Sequence, residues 1–525
     1  MSRRRPISFV AWALLLVLAS GSLAAAEDAP VRIRIPAADR ATFERVRGLV
    51  DVETRRPGDG IYATATPEGL AALAALGVEY VEAPDTCGSV IDMLTAAEVE
   101  QGGWNWAAHP TYGAYAARLQ WYADTYPQLA RRVVIGATTN TARPHQLLAL
   151  KISDQPDAEE DEPEVLLTSS IHGDETTGYV LLLRLIDELL THYDPASSDP
   201  YDQAITRMVD SVELWVNPLA NPDGTYYTSD ELLSPSASRR RYTNADGTTT
   251  GTPDGNRNFP DPQDGPHPDG LAYWTETQHW MAFGAARSFV LAANFHGGAE
   301  VFNYPWDTWS DGSPDYHPHA DEAWYQGVAH HYADLVQANA PAAIGGTSYF
   351  TSVSADGTTN GWDWYEVQGG RQDWMNWFRR CRENTLEISD CKTDDSARMP
   401  DYWTAHRQAL LDYVGTALTG IRGLVTDSHG TPLAATVQLA GSTAQEAEVL
   451  TDPAVGDYHR MLDPGSHGLT FSAEGFDPLE LDGIPVGAGE ATRRDVVLLA
   501  PGEVAPLFAD NFETRSTGRW SATVD

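Results

Sequence analysis

The sequence predicts an α/β fold, a central sheet flanked by helices, preceded by a small α+β domain and followed by a β-sandwich. Three observations carry this. Across residues 104–420, buried strand patterns at 164–168, 212–216 and 290–295 alternate with helical stretches, of which 177–193 and 401–418 are the clearest. Upstream, residues 31–82 alternate short β patterns (VRIRI, DVETR, IYATAT, VEYVEA) with apolar-periodic stretches (ATFERVRGLV, PEGLAALAAL), the order of a βαββαβ unit. After residue 421 helical periodicity stops, and short strands (GLVTD, ATVQLA, YHRML, HGLTFSA, RRDVVLLA) recur between Gly, Pro and Asp turns.

A length of 525 residues exceeds what one core serves, so several domains are expected. The chain opens with Arg3, Arg4 and Arg5, an apolar run from Phe9 to Leu18, and small residues at Ala24, Ala25 and Ala26. This predicts a secretory signal peptide over 1–26, the run being short for a retained anchor. The mature product is then expected to be secreted or periplasmic, without stable membrane insertion. The remaining divisions are a small domain at 27–86, standing where either a prosegment or a permanent N-terminal module would, the α/β domain at 104–420, the sandwich at 421–500 and a polar tail at 501–525.

The formal charge of −39 comes from 74 acidic against 35 basic residues and argues against a nucleic-acid partner. It favours cationic substrates, or simply keeps the surface soluble by like charge. Three cysteines are too few for a disulfide scaffold; Cys381 and Cys391 are close enough in sequence to pair across a short loop, leaving Cys87 over.

The chemistry-bearing residues fall at predicted strand ends. His172 and Glu175 stand in Ser-Ser-Ile-His-Gly-Asp-Glu, after one buried strand and before a helix, where α/β sheets place ligand sites. Imidazole nitrogen and carboxylate oxygen are ordinary zinc donors, although an isolated His-x-x-Glu also suits a polar turn capping a helix. His296 follows another apolar strand, supplying a candidate third ligand. Glu387, inside the apolar-flanked Asn384-Thr-Leu-Glu-Ile, is a carboxylate placed to be desolvated and thereby tuned for proton exchange. Its competing reading is an ion pair with Arg379, Arg380 or Arg382.

Together these segments resemble the zinc metallocarboxypeptidase family, in the branch of carboxypeptidases N, E and D. The resemblance covers most of residues 104–500. Its motifs are His172-x-x-Glu175, Asn217-Pro-Leu-Ala-Asn-Pro-Asp-Gly, Gly255-Asn-Arg-Asn-Phe-Pro-Asp, Ala293-Asn-Phe-His-Gly-Gly and Asn384-Thr-Leu-Glu-Ile-Ser. It implies a mixed central sheet, one Zn²⁺ on His172, Glu175 and His296, and Glu387 as catalytic base. Asn256 and Arg257 would bind the substrate's terminal carboxylate, and Tyr365, twenty-two residues before Glu387, would cap the substrate. Among Arg239, Arg240 and Arg241, Arg241 best fits the arginine that steadies the oxyanion. Asp307 and Gln372 would line a pocket for a C-terminal Lys or Arg. The final β unit looks transthyretin-like, whereas the N-terminal unit is unusual for this branch.

The expected function is therefore a secreted zinc metallocarboxypeptidase acting on peptides or proteins with a free C-terminus and preferring terminal Lys or Arg. The alternatives are a zinc amidase on cell-wall peptides and a catalytically inactive peptide-binding protein of the same fold.

Overall fold

The computed structural model describes residues 31–503, apart from 234–253, 309–317 and short stretches at 37–38, 48, 57, 85–86, 88–89, 101–102 and 140–141. The expected signal peptide, and the polar tail from residue 504 on, lie outside the described residues. No helix among the described residues is long and apolar enough to cross a membrane.

Residues 31–82 form the βαββαβ unit: strands Val31–Ile35, Asp51–Arg56, Gly60–Ala65 and Val81–Glu82, with helices Arg40–Val46 and Pro67–Ala75. All its pairings are antiparallel. Strand alternation sends Ile33, Ile35, Ile61, Ala63 and Ala65 inward against Phe43, Val46 and Leu73. Both helices begin at side-chain caps, Asp39 accepting from the Thr42 amide and Thr66 from the Gly69 amide.

The central sheet has eight strands. Their spatial order is Thr358–Asn360, Ala299–Tyr304, Arg382–Ser389, Phe289–His296, Glu164–Ser169, Glu213–Asn217, Gln146–Ile152 and Ala130–Ala137. The four central strands, from Arg382–Ser389 to Glu213–Asn217, run parallel, and their neighbours on either side run antiparallel, so the sheet is mixed. Every residue of those four strands is buried, because helices cover both faces. Alternate residues supply two cores. Val165, Leu167, Leu291, Ala293 and Phe295 join helices Thr177–His192, Glu322–Asn339 and Met399–Gly415, while Leu166, Phe289 and Ala292 meet Trp280, Phe283, Trp374 and Met375.

The sandwich packs Ile421–Thr426, Asp457–Arg460, Thr492–Arg493 and Val496–Val497 against Ala435–Leu439, Val449–Leu450, Gly465–Ala473 and Leu479–Val486. Its core includes Ile421, Val437, Tyr458, Leu469 and Phe471. A buried charge cluster fastens it to the α/β domain: Asp321 accepts from Arg382 at 2.6 Å and from Arg460, on the sandwich side, at 2.5 Å. Arg382 also donates to the carbonyls of Ala447 and Glu448.

The cysteine expectation is corrected. Cys87 is bonded to Cys391, with Cα atoms 5.3 Å apart, and Cys381 is free and buried. Cys381 and Cys391 lie beyond opposite ends of Arg382–Ser389, and an eight-residue strand spans about 26 Å. An extended segment, not a short loop, separates them.

Removing the shared acid should leave two buried guanidinium groups uncompensated. Asp321→Ala is expected to lower unfolding stability by about 3–5 kcal/mol, read from chemical denaturation.

Candidate active site

Three neighbouring parallel strands deliver the site at their C-terminal ends. The register sets Ser169 beside Phe295 and His296 beside Glu387. Past Ser169 the chain turns through Ser170, whose φ is 59°. The Ser170 hydroxyl donates to the Glu175 carbonyl at 2.7 Å, and the Thr176 amide to the Lys392 carbonyl at 2.8 Å. The turn is also pressed against the Asn217-Pro-Leu-Ala-Asn-Pro-Asp-Gly segment. A Cβ on Gly173 would lie 2.3 Å from the Thr225 amide nitrogen, so only glycine fits there. Thr225 donates to the Gly173 carbonyl at 2.7 Å, and the Asn221 side chain to the Ile171 carbonyl at 3.0 Å.

This brings His172, Glu175 and His296 together. His172 Nδ1 is 3.0 Å from Glu175 Oε1, and His296 Nδ1 is 2.8 Å from Glu175 Oε2 and 3.2 Å from His172 Nδ1. All three are buried, with one donor atom from each within 4.8 Å of the others. Burial would lift the Glu175 carboxyl, but the imidazoles of His172 and His296 reverse this and hold it well below the ordinary carboxylate range. Two imidazole nitrogens and one carboxylate converging in a cleft match the three-ligand set of a zinc with an open fourth position.

Asp254 was not anticipated from the sequence. Its Oδ1 lies 2.9 Å from His172 Nε2, on the ring edge away from Glu175 and His296, and accepts from the Asn256 amide at 2.8 Å. A carboxylate in that position sets ring orientation and tautomer. The available signal was an Asp immediately before Gly255-Asn-Arg, where it caps the short 3₁₀ turn Gly255–Arg257.

Glu387 is buried and lines the cleft with His172, Glu175 and His296. The arginines that competed for it are engaged elsewhere: Arg382 with Asp321, Arg380 with Glu448 at 3.6 Å, and Arg379 with the Arg287 carbonyl. Asn256, Arg257, Tyr365 and Asp307 line the same cleft. The Asn256 side-chain oxygen accepts from the Arg371 amide at 2.9 Å, and Arg371 is itself held by a buried two-point pair with Glu383. Gln372 sits behind Asp307 and donates to its Oδ1 at 3.0 Å, as Asn303 does at 2.9 Å. Burial raises the Asp307 carboxyl to about 6, against the opposing pull of Asn303 and Arg257. Arg239, Arg240 and Arg241 lie outside the described residues.

The N-terminal unit reaches this cleft. Its Glu53 is among the lining residues. Phe43 packs on Tyr365 with ring centroids 5.0 Å apart. Arg40, Arg47 and Arg55 donate to backbone carbonyls of Trp362, Glu366 and Trp364.

Fold and donor set together define a metallopeptidase-type centre. The chain belongs to the zinc carboxypeptidase family, whose model matches residues 115–409, and a carboxypeptidase regulatory-like domain follows at 420–499. That family implies zinc. Among its relatives are carboxypeptidase D of Rattus norvegicus, 33% identical over 69% of this chain, and carboxypeptidase M of Mus musculus, 31% identical over 60% of this chain and 67% of the relative. The chain spans only 25% of the Rattus norvegicus protein. The same fold occurs in carboxypeptidase A of Helicoverpa armigera, at a TM-score of 0.55 and 16% identity, covering 74% of this chain and 97% of that one.

If Asp254 orients His172, Asp254→Ala should weaken zinc retention about 10–100-fold, measured by competition with a chelator. Unchanged retention would remove Asp254 from the centre.

Proposed function

We propose that this protein is a secreted or periplasmic zinc metallocarboxypeptidase that removes C-terminal residues, preferably Lys or Arg, from peptides or proteins. The convergence of His172, Glu175, His296 and Glu387 at adjoining strand ends carries this reading. One zinc held by the first three would polarise the scissile carbonyl and acidify a water. Glu387 accepts the proton of the attacking water and passes it to the leaving amine. Asn256 and Arg257 hold the substrate's terminal carboxylate, the guanidinium by a two-point bond, and Tyr365 covers it. Arg241 is the proposed donor to the oxyanion. The Cys87–Cys391 bond agrees with an oxidising compartment.

The preference for a cationic terminus rests on Asp307. Its near neighbours Asn303 and Gln372 are neutral donors, and Asp373 accepts from the Asp307 and Thr308 amides. A Lys or Arg side chain would neutralise a carboxylate that burial disfavours. These same features disfavour the amidase reading, and the retention of all three ligands and Glu387 disfavours the inactive one.

The N-terminal unit, 27–86, is proposed to act as a prosegment. Its support is the placement of Glu53 at the cleft and of Phe43 against Tyr365. Between residues 31 and 82 seven arginines nearly balance eight carboxylates in an otherwise strongly acidic chain, and three of them grip the segment that carries Tyr365.

Two measurements test the assignment. Glu387→Gln should lower kcat by about 10²–10⁴-fold while zinc content stays unchanged; hydrolysis at the wild-type rate would overturn the mechanism. For Asp307 the sign follows from its raised value. The group is charged above about 6 and neutral below, so KM for a C-terminal Arg peptide should rise as pH falls through about 6. KM for a peptide ending in Leu should stay level over that range, and Asp307→Asn should reduce the Arg-over-Leu ratio by about thirtyfold, the equivalent of ~2 kcal/mol.

A further inference from the structure

We propose that Asp161, Asp457 and His459 form a second divalent-metal site, at the seam between the α/β domain and the β-sandwich. One donor atom from each lies within 4.8 Å of the others, and none belongs to the catalytic cleft. Asp457 and His459 stand two apart in the strand Asp457–Arg460, so they project from the same face. Asp161 comes from the acidic loop of the other domain.

The observation that points to a ligand is a pair of buried polar atoms with nothing to bind. His459 is 3% exposed, with Nε2 2.8 Å from Asp457 Oδ2. Its Nδ1, and Oδ1 of the 5% exposed Asp457, meet no hydrogen-bond partner among the described residues. Both residues line a small cavity at the seam. Leaving such groups buried and unsatisfied is unfavourable, and a bound cation would offset that.

The surroundings select a cation. Seven of the eleven residues lining that cavity are acidic, including Glu159, Glu162 and Asp452. Arg493 holds Asp161 Oδ2 at 2.6 Å, and Arg422 lies 3.6 Å from Oδ1. The stronger contact thus engages one oxygen and orients the other, as supporting donors do for metal-ligating carboxylates. One imidazole with two carboxylates suits a borderline ion such as zinc better than calcium, which takes oxygen donors alone. Tetrahedral ligand atoms lie roughly 3.3 Å apart, so binding zinc would require these side chains to adjust their spacing. Bound there, the ion would cross-link the two domains.

Zinc per chain, measured by elemental mass spectrometry on the full-length protein after zinc loading and desalting, tests this. Wild type should hold two equivalents and D457N/H459Q one, the double variant keeping wild-type kcat/KM on a C-terminal Arg peptide. H296A should also retain one, which tests the seam site without altering the seam should the double variant not fold. A single wild-type equivalent that disappears in H296A overturns the proposal, as do two equivalents retained by D457N/H459Q. A single equivalent that persists in H296A and disappears in D457N/H459Q supports the seam site and overturns the catalytic zinc instead.

Discussion

The parallel register between Phe289–His296 and Arg382–Ser389 is the constraint on which the site depends. It sets His296 and Glu387 side by side, one strand spacing of about 4.8 Å apart. A slip of one residue would turn either side chain to the opposite face of the sheet. The two cores oppose that slip. Phe289 and Ala292 are committed to one face and Leu291, Ala293 and Phe295 to the other, so each register error would place large apolar groups against the wrong helices.

The third strand, Glu164–Ser169, ends before the candidate ligands it leads to, and a loop has to hold His172 and Glu175. Loops place side chains less exactly than strands, and here the shortfall is met by backbone bonding. The Ser170 hydroxyl, the Lys392 carbonyl and the Asn221 and Thr225 side chains pin the turn at separate points. Gly173 lets the pinning segment approach closely enough to reach it. The Asn217-Pro-Leu-Ala-Asn-Pro-Asp-Gly motif therefore shapes the centre without contributing a ligand.

The fold and the centre were legible in the sequence to different degrees. Strand runs such as 164–168 and 290–295 are apolar on both faces, which only a covered sheet explains, and the N-terminal alternation gave its element order directly. His172, Glu175 and His296 stood out because they follow such runs, and Glu387 because it lies between apolar neighbours inside a strand. Asp254 did not, because its role is to face one nitrogen of His172 from 82 residues away. The Cys87–Cys391 bond was hidden for a related reason: it joins segments 304 residues apart, whereas sequence proximity favoured Cys381. Gln372 was expected at the pocket wall and instead stands behind it, since helix Arg371–Arg379 turns its amide towards Asp307.

Buried acids in this protein are treated in two ways, and the difference bears on substrate choice. Asp321 is met by two guanidinium groups and its charge is settled within the fold. Asp307 is equally shielded from water but receives amides from Asn303 and Gln372 and stands near a second acid, Asp373. Arg257, the cation that acts on it, is more exposed and on the proposed reading is directed at the substrate's carboxylate. Among the described residues the fold therefore carries the cost of Asp307 without a dedicated counter-ion. On the proposed reading, such a charge is stabilised most when a cation enters with the substrate, so the penalty carried by the fold would become discrimination in favour of Lys or Arg.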